Sequence, residues 1–271
     1  MSNQINQKEF NFFSAENLTR LVSDAILQSN PTTIDIFDYN ILKAKILLIS
    51  AECISEIIEK IHPRLGKKDF GIKDSEDETP ISNFIEEVTK LATSGSAIYL
   101  GYTEQSIVCA VTASETYFRD RLAKALTIRP ELVNQFADKE IKIKKILEIN
   151  FDVKNEIGNL IVEKNLDFQN LEGVSNIYQK VFGEEIFKEE ELIHLKKIFQ
   201  IRHLIIHRGG IVDSSFITKT HMPLKIGNRF MLSREEVKNI IEFIAGIVHR
   251  TEKTLSEKLG DTKAINISDQ K

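Results

Sequence analysis

The 271-residue sequence contains no tryptophan, only five prolines and only twelve glycines. A turn-rich β fold needs frequent glycine and proline breaks, so this composition favours helices. No run of about 18 apolar residues is present, so we expect no membrane-spanning helix and no membrane partner. The first residues, MSNQINQKEFNFF, lack a basic start followed by an apolar core, and we therefore expect no signal peptide.

Cysteine is also rare, with two residues in the whole chain. Cys53 lies in LLISAECISEII and Cys109 lies in SIVCAVTA, and both stretches have apolar residues at helical spacing. We predict that both thiols are buried and unpaired. Free thiols are typical of a reducing compartment, which indicates a cytoplasmic protein.

The common catalytic and cofactor motifs are missing as well. There is no glycine-rich phosphate loop, no H-E-x-x-H pair, no cysteine pair at metal spacing and no G-x-S-x-G elbow. We therefore expect no cofactor. His203 and His207 are four residues apart and could form half a metal site, but no nearby carboxylate or cysteine completes the usual ligand set. No metal is predicted.

What the sequence does contain is helical periodicity along most of its length. One helix is expected after Ser14. Another is expected over 80–93, with Pro80 at its first helical position. The segment 224–232 alternates around Gly227-Asn228, which predicts a small β-hairpin before the last helix. Further helices are predicted at 33–62, at 104–128, near 152–165 and 172–182, at 189–208, and from the capping box at Ser233 to about 259. The helix at 104–128 is expected to bury Ile107, Val111, Phe118, Leu122 and Leu126.

We therefore predict an all-α fold in three parts. Residues 1–96 form an N-terminal helical extension, 97–260 form a helical domain, and 261–271 form a flexible tail.

The charge is unevenly distributed. The formal net charge is −4, yet the stretch 195–234 holds eight lysines and arginines and one acid, Asp213. If these residues share one surface, they form a patch suited to a polyanion. The alternative is that they are scattered over several faces.

The segment RHLIIHRGG, residues 202–210, combines charged and apolar residues within one helical stretch. Five residues turn a helix by about 500°, so Arg202 and His207 lie about 140° apart and can converge only across a groove or if the last turn loosens. Histidine can move a proton near neutral pH, and arginine can grip a phosphate. Alternatively, His207 caps the helix end and Arg202 forms an ion pair with Glu115.

This segment resembles the R-x4-6-H signature of the HEPN superfamily, with a polar residue directly after the arginine. The order of segments is also similar over about 97–255: ASETYFRDRL, then NIYQKVFG, then the motif helix, then a final helix. The resemblance implies a HEPN-like helical bundle, a homodimer and metal-independent endoribonuclease activity.

By this resemblance, Arg202 and His207 match the signature residues and His203 matches the polar position after the arginine. Glu115 resembles an acidic residue of an earlier helix. The negative end of the helix dipole opposes phosphate, so Arg208 is expected to support the site by offsetting it.

The expected function is RNA cleavage by 2′-hydroxyl attack, in a toxin or phage-defence effector with an antitoxin or defence-system partner. The alternative is a non-catalytic HEPN module for dimerisation or for nucleotide or protein binding.

Overall fold

The computed structural model describes residues 31–61, 95–138 and 140–260. These residues are mostly helical, which confirms the all-α fold class. The helices are α1 (Thr33–Ile61), α2 (Gly95–Ile128), a 3₁₀ helix (Pro130–Phe136), α3 (Ile143–Glu148), α4 (Val153–Asn165), α5 (Leu171–Phe182), α6 (Glu189–Arg208), α7 (Ser214–Thr220) and α8 (Arg234–Leu259).

The helices predicted from periodicity within the described residues are all present. Helix α2 begins at Gly95 rather than near residue 104, and the 3₁₀ helix, α3 and α7 were not predicted. The five residues predicted to be buried on α2 are all buried. The capping box forms as expected, since Ser233 N donates to Glu236 Oε2 at 2.7 Å and Glu236 N donates to Ser233 Oγ at 3.3 Å. The helices expected after Ser14 and Pro80 lie outside the described residues.

The structure does not show the hairpin predicted within 224–232. Instead, this segment pairs with the chain that follows α6, through one antiparallel bridge between Ile211 and Arg229. Val212 N donates to the Asn228 carbonyl at 2.9 Å and Phe230 N donates to the Gly210 carbonyl at 2.7 Å. The alternating residues of 224–232 therefore pair with a more distant segment of the chain. The sequence pattern of 224–232 alone cannot distinguish this pairing from a hairpin.

The chain divides into two compact units. In its described part, the first unit comprises 31–42, 113–189 and 245–260, and the second comprises 43–61, 95–112 and 190–244. The predicted division at 96/97 and 260/261 remains a prediction.

The first unit has an aromatic core. Phe118 meets Tyr117, Tyr178 and Phe187 edge-on, with ring centroids 5.3–5.8 Å apart. Edge-to-face packing of this kind is the arrangement that aromatic quadrupoles favour. The Tyr178 hydroxyl also donates to the Phe118 carbonyl at 2.7 Å, which satisfies its polar atom inside the core.

A buried polar cluster lies in the same unit. Arg121 is only 1% exposed, and its Nε donates to Glu252 Oε2 at 2.8 Å. The same carboxylate accepts from the Tyr117 hydroxyl at 2.7 Å and from Ser256 Oγ at 2.8 Å. Because the Glu252 carboxylate accepts three hydrogen bonds, the unit can bury a charged pair without leaving that carboxylate unbonded.

The second unit buries one face of α6 together with residues of its other helices. Leu195, Ile198 and Phe199 are spaced three and four residues apart and are all buried. The ring of Phe216 on α7 packs against Phe230 with centroids 5.5 Å apart.

The prediction of two buried thiols is wrong. Cys53 is exposed and Cys109 is half-buried, and neither forms a disulfide. Each lies two residues from a buried neighbour, Ala51 or Ile107, and two helical residues turn by about 200°. Cys53 therefore points away from Ala51, whereas the half-buried Cys109 also lies only about 40° around α2 from the buried Ala113.

None of the described helices is long and apolar enough to cross a membrane.

Candidate functional site

The candidate site lies at the C-terminal end of α6, in the second unit. His203 and His207 differ by about 40° around the helix, so they share one face. Both are exposed, and their ring centroids are 4.5 Å apart with an interplanar angle of 44°. Leu204 between them is buried and anchors this turn. The structure thus places two imidazoles in contact at the surface.

The glycine pair ends α6 as the sequence predicts. Gly209 and Gly210 both adopt left-handed conformations, with φ of 58° and 77°. Gly210 N, rather than the His207 ring, caps the Leu204 carbonyl at 3.2 Å. A Cβ on Gly210 would also lie 3.0 Å from Glu104 Oε1, so glycine is favoured there by both conformation and space.

Arg202 occupies a different face of α6 from the two histidines. It is half-buried, whereas His207 is exposed. The small apolar pocket found in this unit includes Ile205, but it contains neither Arg202 nor His207. The catalytic roles of Arg202 and His207 remain predictions.

The electrostatic setting of His203 favours its neutral form. Partial burial lowers its pKa below the ordinary 6.5, and the nearby His207, Lys219 and Arg202 lower it further. Asp213 acts in the opposite direction. His203 is therefore neutral at pH 7 and able to accept a hydrogen bond or a proton.

Arg208, predicted to support the site, is bound to a carboxylate. Its Nε donates to Asp213 Oδ2 at 2.9 Å, while Asp213 Oδ1 accepts from Phe216 N at 2.8 Å and caps α7. The Phe216 amide and then Arg208 hold the pKa of Asp213 below its ordinary value. The missed helix α7 had one local signal, an aspartate at its N-cap position.

The predicted basic patch is partly neutralised in the fold. Arg229 Nη2 donates to Glu104 Oε1 at 2.8 Å, just as Arg208 donates to Asp213. Glu104 lies on α2, far from 195–234 in sequence, so counting charges within that stretch could not reveal this pairing. Lys219 and Lys225, by contrast, are exposed.

Glu115, the other predicted supporting residue, is half-buried on α2 within the first unit. Arg202, His203, His207 and Arg208 all belong to the second unit. The supporting role of Glu115 stays a prediction.

Within the described ranges, no group of three or more histidine, cysteine or carboxylate side chains could hold a metal ion. His203 and His207 share a face, as their spacing predicts, but they form a pair only.

Comparisons of this chain with protein-family models, with curated proteins and with solved structures find no match.

Proposed function

We propose that this protein is a HEPN-type endoribonuclease that cleaves RNA by attack of the 2′-hydroxyl on the adjacent phosphate. The observation that supports this most is the exposed pair of contacting imidazoles on α6, with cationic Arg202 and Lys219 close enough to affect His203. Exposed imidazoles beside positive charge suit a reaction that moves protons at a phosphate.

In this reaction the RNA supplies its own nucleophile. The 2′-hydroxyl loses its proton, the 2′-oxygen bonds to phosphorus, and the bond from phosphorus to the 5′-oxygen breaks. The products are a 2′,3′-cyclic phosphate and a 5′-hydroxyl that has gained a proton. His207 acts as an acid or base in these transfers, His203 orients it through the ring contact, and Arg202 stabilises the charge on the phosphorane.

We also propose that the protein acts as a homodimer. Ile206 on α6 is 46% exposed and Ile211, directly after the glycine pair, is 42% exposed. A second copy covering these residues would bring its own histidines and arginines to the same surface. More positive charge there would offset the negative end of the α6 dipole, which disfavours phosphate.

The same exposed residues support the second candidate function, a non-catalytic module that binds a protein or nucleotide. In either case an antitoxin or defence-system partner would fit the setting that the HEPN resemblance implies.

The direct test is cleavage of structured RNA by the purified full chain in EDTA. We expect wild type to leave 2′,3′-cyclic phosphate ends. His207→Ala should lose roughly 10²- to 10⁴-fold in rate, because positioned acid–base catalysis contributes about that much. Arg202→Ala should lose about 10²-fold or more if it stabilises developing charge.

His194→Ala is the matched control. His194 is an exposed histidine on the same helix, with its ring against Phe243 at 4.6 Å rather than near His207. This variant should cleave at the wild-type rate. Equal cleavage by His207→Ala and wild type would contradict the proposal, and an inactive but folded wild type would favour the non-catalytic module.

A further inference from the structure

The exposed histidines of this protein differ in what their rings contact. In the first unit, His249 Nε2 lies 3.0 Å from Asp38 Oδ1, so a carboxylate already occupies one of its ring nitrogens. His203 and His207 instead contact each other, with ring centroids 4.5 Å apart, and both are exposed. A ligand from solvent can therefore reach two imidazoles at once on this face of α6.

The separation of these two rings suits a shared metal ion. Imidazole nitrogens bind zinc at about 2.0–2.1 Å, so two rings on one ion have centroids roughly 4.5–5.2 Å apart, for ligand angles from about 90° to about 109°. The observed separation of 4.5 Å lies within this range. The two rings can thus share an ion without a change in the backbone of α6.

The surrounding structure holds the two histidines at this separation. They are one helical turn apart, and Leu204 between them is buried. The Leu204 carbonyl also accepts a hydrogen bond from Gly210 N at 3.2 Å, which closes the last turn of the helix. Because the backbone is already ordered, binding of the second nitrogen costs little further conformational freedom.

The donor set decides which class of cation fits. Imidazole nitrogen suits zinc, copper and nickel, whereas magnesium and calcium prefer carboxylate and carbonyl oxygens. In the part of the chain that the structure describes, no third histidine, cysteine or carboxylate completes a larger ligand group. We infer that His203 and His207 form a two-imidazole site for a divalent transition cation of the zinc class, with water in the remaining coordination positions.

This site has a consequence for RNA cleavage, which rests on the function proposed above, whereas the metal site itself does not. A nitrogen of His207 that is bound to a cation cannot accept a proton or deliver one. Zinc is therefore an inhibitor of the proposed reaction, and EDTA restores the free imidazoles.

The first experiment measures zinc binding without requiring activity. Zn²⁺ is titrated into the full chain by calorimetry, and NMR follows the Cε1 protons of His203 and His207, assigned with His203→Gln and His207→Gln. His194→Gln is the matched control, since His194 is exposed on the same helix with its ring 4.6 Å from that of Phe243. Cys53→Ser, made in every protein compared, removes an exposed thiol that would also bind zinc.

We expect the protein with both histidines and His194→Gln to bind zinc with equal affinity. The signals of His203 and His207 should shift together and saturate at one equivalent of zinc, and Mg²⁺ should shift neither. His203→Gln and His207→Gln should each bind zinc roughly tenfold more weakly or worse, because one of two ligands is lost. Unchanged zinc affinity in both of these variants would overturn the inference, as would separate saturation of the two signals.

RNA cleavage separates the metal site from the ribonuclease proposal. If the protein cleaves RNA in EDTA, zinc should lower kcat/KM over the same concentrations at which it shifts the two histidine signals, and excess EDTA should reverse the loss. Cleavage that continues unchanged while zinc occupies both histidines would contradict the role of His207 as acid or base, but not the metal site. An absence of cleavage in EDTA, together with zinc binding that needs both histidines, would leave the metal site standing and overturn the ribonuclease proposal.

Discussion

Two arginine–carboxylate pairs of nearly equal length lie in opposite environments in this protein. Arg121 and Glu252 of the first unit meet at 2.8 Å, with the arginine side chain 2% exposed. Arg208 and Asp213 of the second unit meet at 2.9 Å, with the arginine side chain 59% exposed. The nitrogen–oxygen distance does not distinguish the two pairs, so a difference in their contributions to stability must come from their exposure to solvent.

The comparison shows why one pair belongs to the core and the other to a candidate site. A buried charge costs a great deal when its partner is removed, and the Arg121–Glu252 pair is therefore fixed by the fold. An exposed pair gains little net energy because water solvates both partners. Arg208 and Asp213 can therefore shape the surface around the histidines at little energetic cost to the fold.

The largest expected effect is the loss of one partner of the buried pair. Glu252→Gln should lower the free energy of unfolding by about 3–5 kcal/mol, because the buried Arg121 loses the charge of the carboxylate to which it is bonded. Chemical denaturation followed by circular dichroism measures this change. Glu257→Gln, at an exposed glutamate one residue after Ser256, is the control and should stay within about 0.5 kcal/mol of wild type.

The paired replacement Arg121→Met with Glu252→Met shows whether the charge is the cause. Apolar residues of similar volume often replace a buried ion pair at little cost, so this double variant should be more stable than Glu252→Gln. A double variant that is less stable than Glu252→Gln would contradict this account.

A smaller effect is expected from Tyr117→Phe, which removes one hydrogen bond and keeps the ring. Burial, and then the adjacent Glu252 carboxylate, hold the pKa of Tyr117 well above its ordinary value, so the hydroxyl remains a donor. Losing a hydrogen bond to a charged group should lower the free energy of unfolding by about 1.5–3 kcal/mol. A loss equal to that of Glu252→Gln would mean that the ring, not the hydroxyl, has been disturbed.

The sequence predicted those features that arise from neighbouring residues. The helices α1, α4, α5, α6 and α8, the capping box at Ser233 and the glycine pair after Arg208 all depend on interactions within a few positions. The contact between His203 and His207 likewise follows from their spacing of four.

Features that depend on distant residues could not be predicted in this way. The partner of Arg229 is Glu104, and the partner of Arg121 is Glu252, more than a hundred positions away in each case. The segment after Gly227 pairs with the chain after α6, whereas its alternating pattern predicted a hairpin within 224–232. The burial of Cys53 and Cys109 was also predicted wrongly, because their apolar stretches do not by themselves say which side of each helix is buried.

The smallest expected stability change belongs to the exposed pair, and it should depend on pH. The Phe216 amide and Arg208 lower the pKa of Asp213 in the folded protein below its ordinary 3.8. The ionised form is therefore stabilised by folding, so its contribution is fully present above the unfolded pKa and is lost as the pH falls through the folded pKa. Asp213→Asn keeps an N-cap oxygen for α7 but removes the charge that Arg208 binds. This variant should destabilise the protein less than Tyr117→Phe does. The difference in free energy of unfolding between Asp213→Asn and wild type should disappear as the pH is lowered from 6 to below about 3.8.

Added salt should reduce the same difference in free energy of unfolding at pH 6, because exposed charges are screened. It should leave the effect of Glu252→Gln almost unchanged. A gap that stays constant with pH and salt would show that Asp213 acts only as a helix cap, and that the ion pair with Arg208 adds nothing.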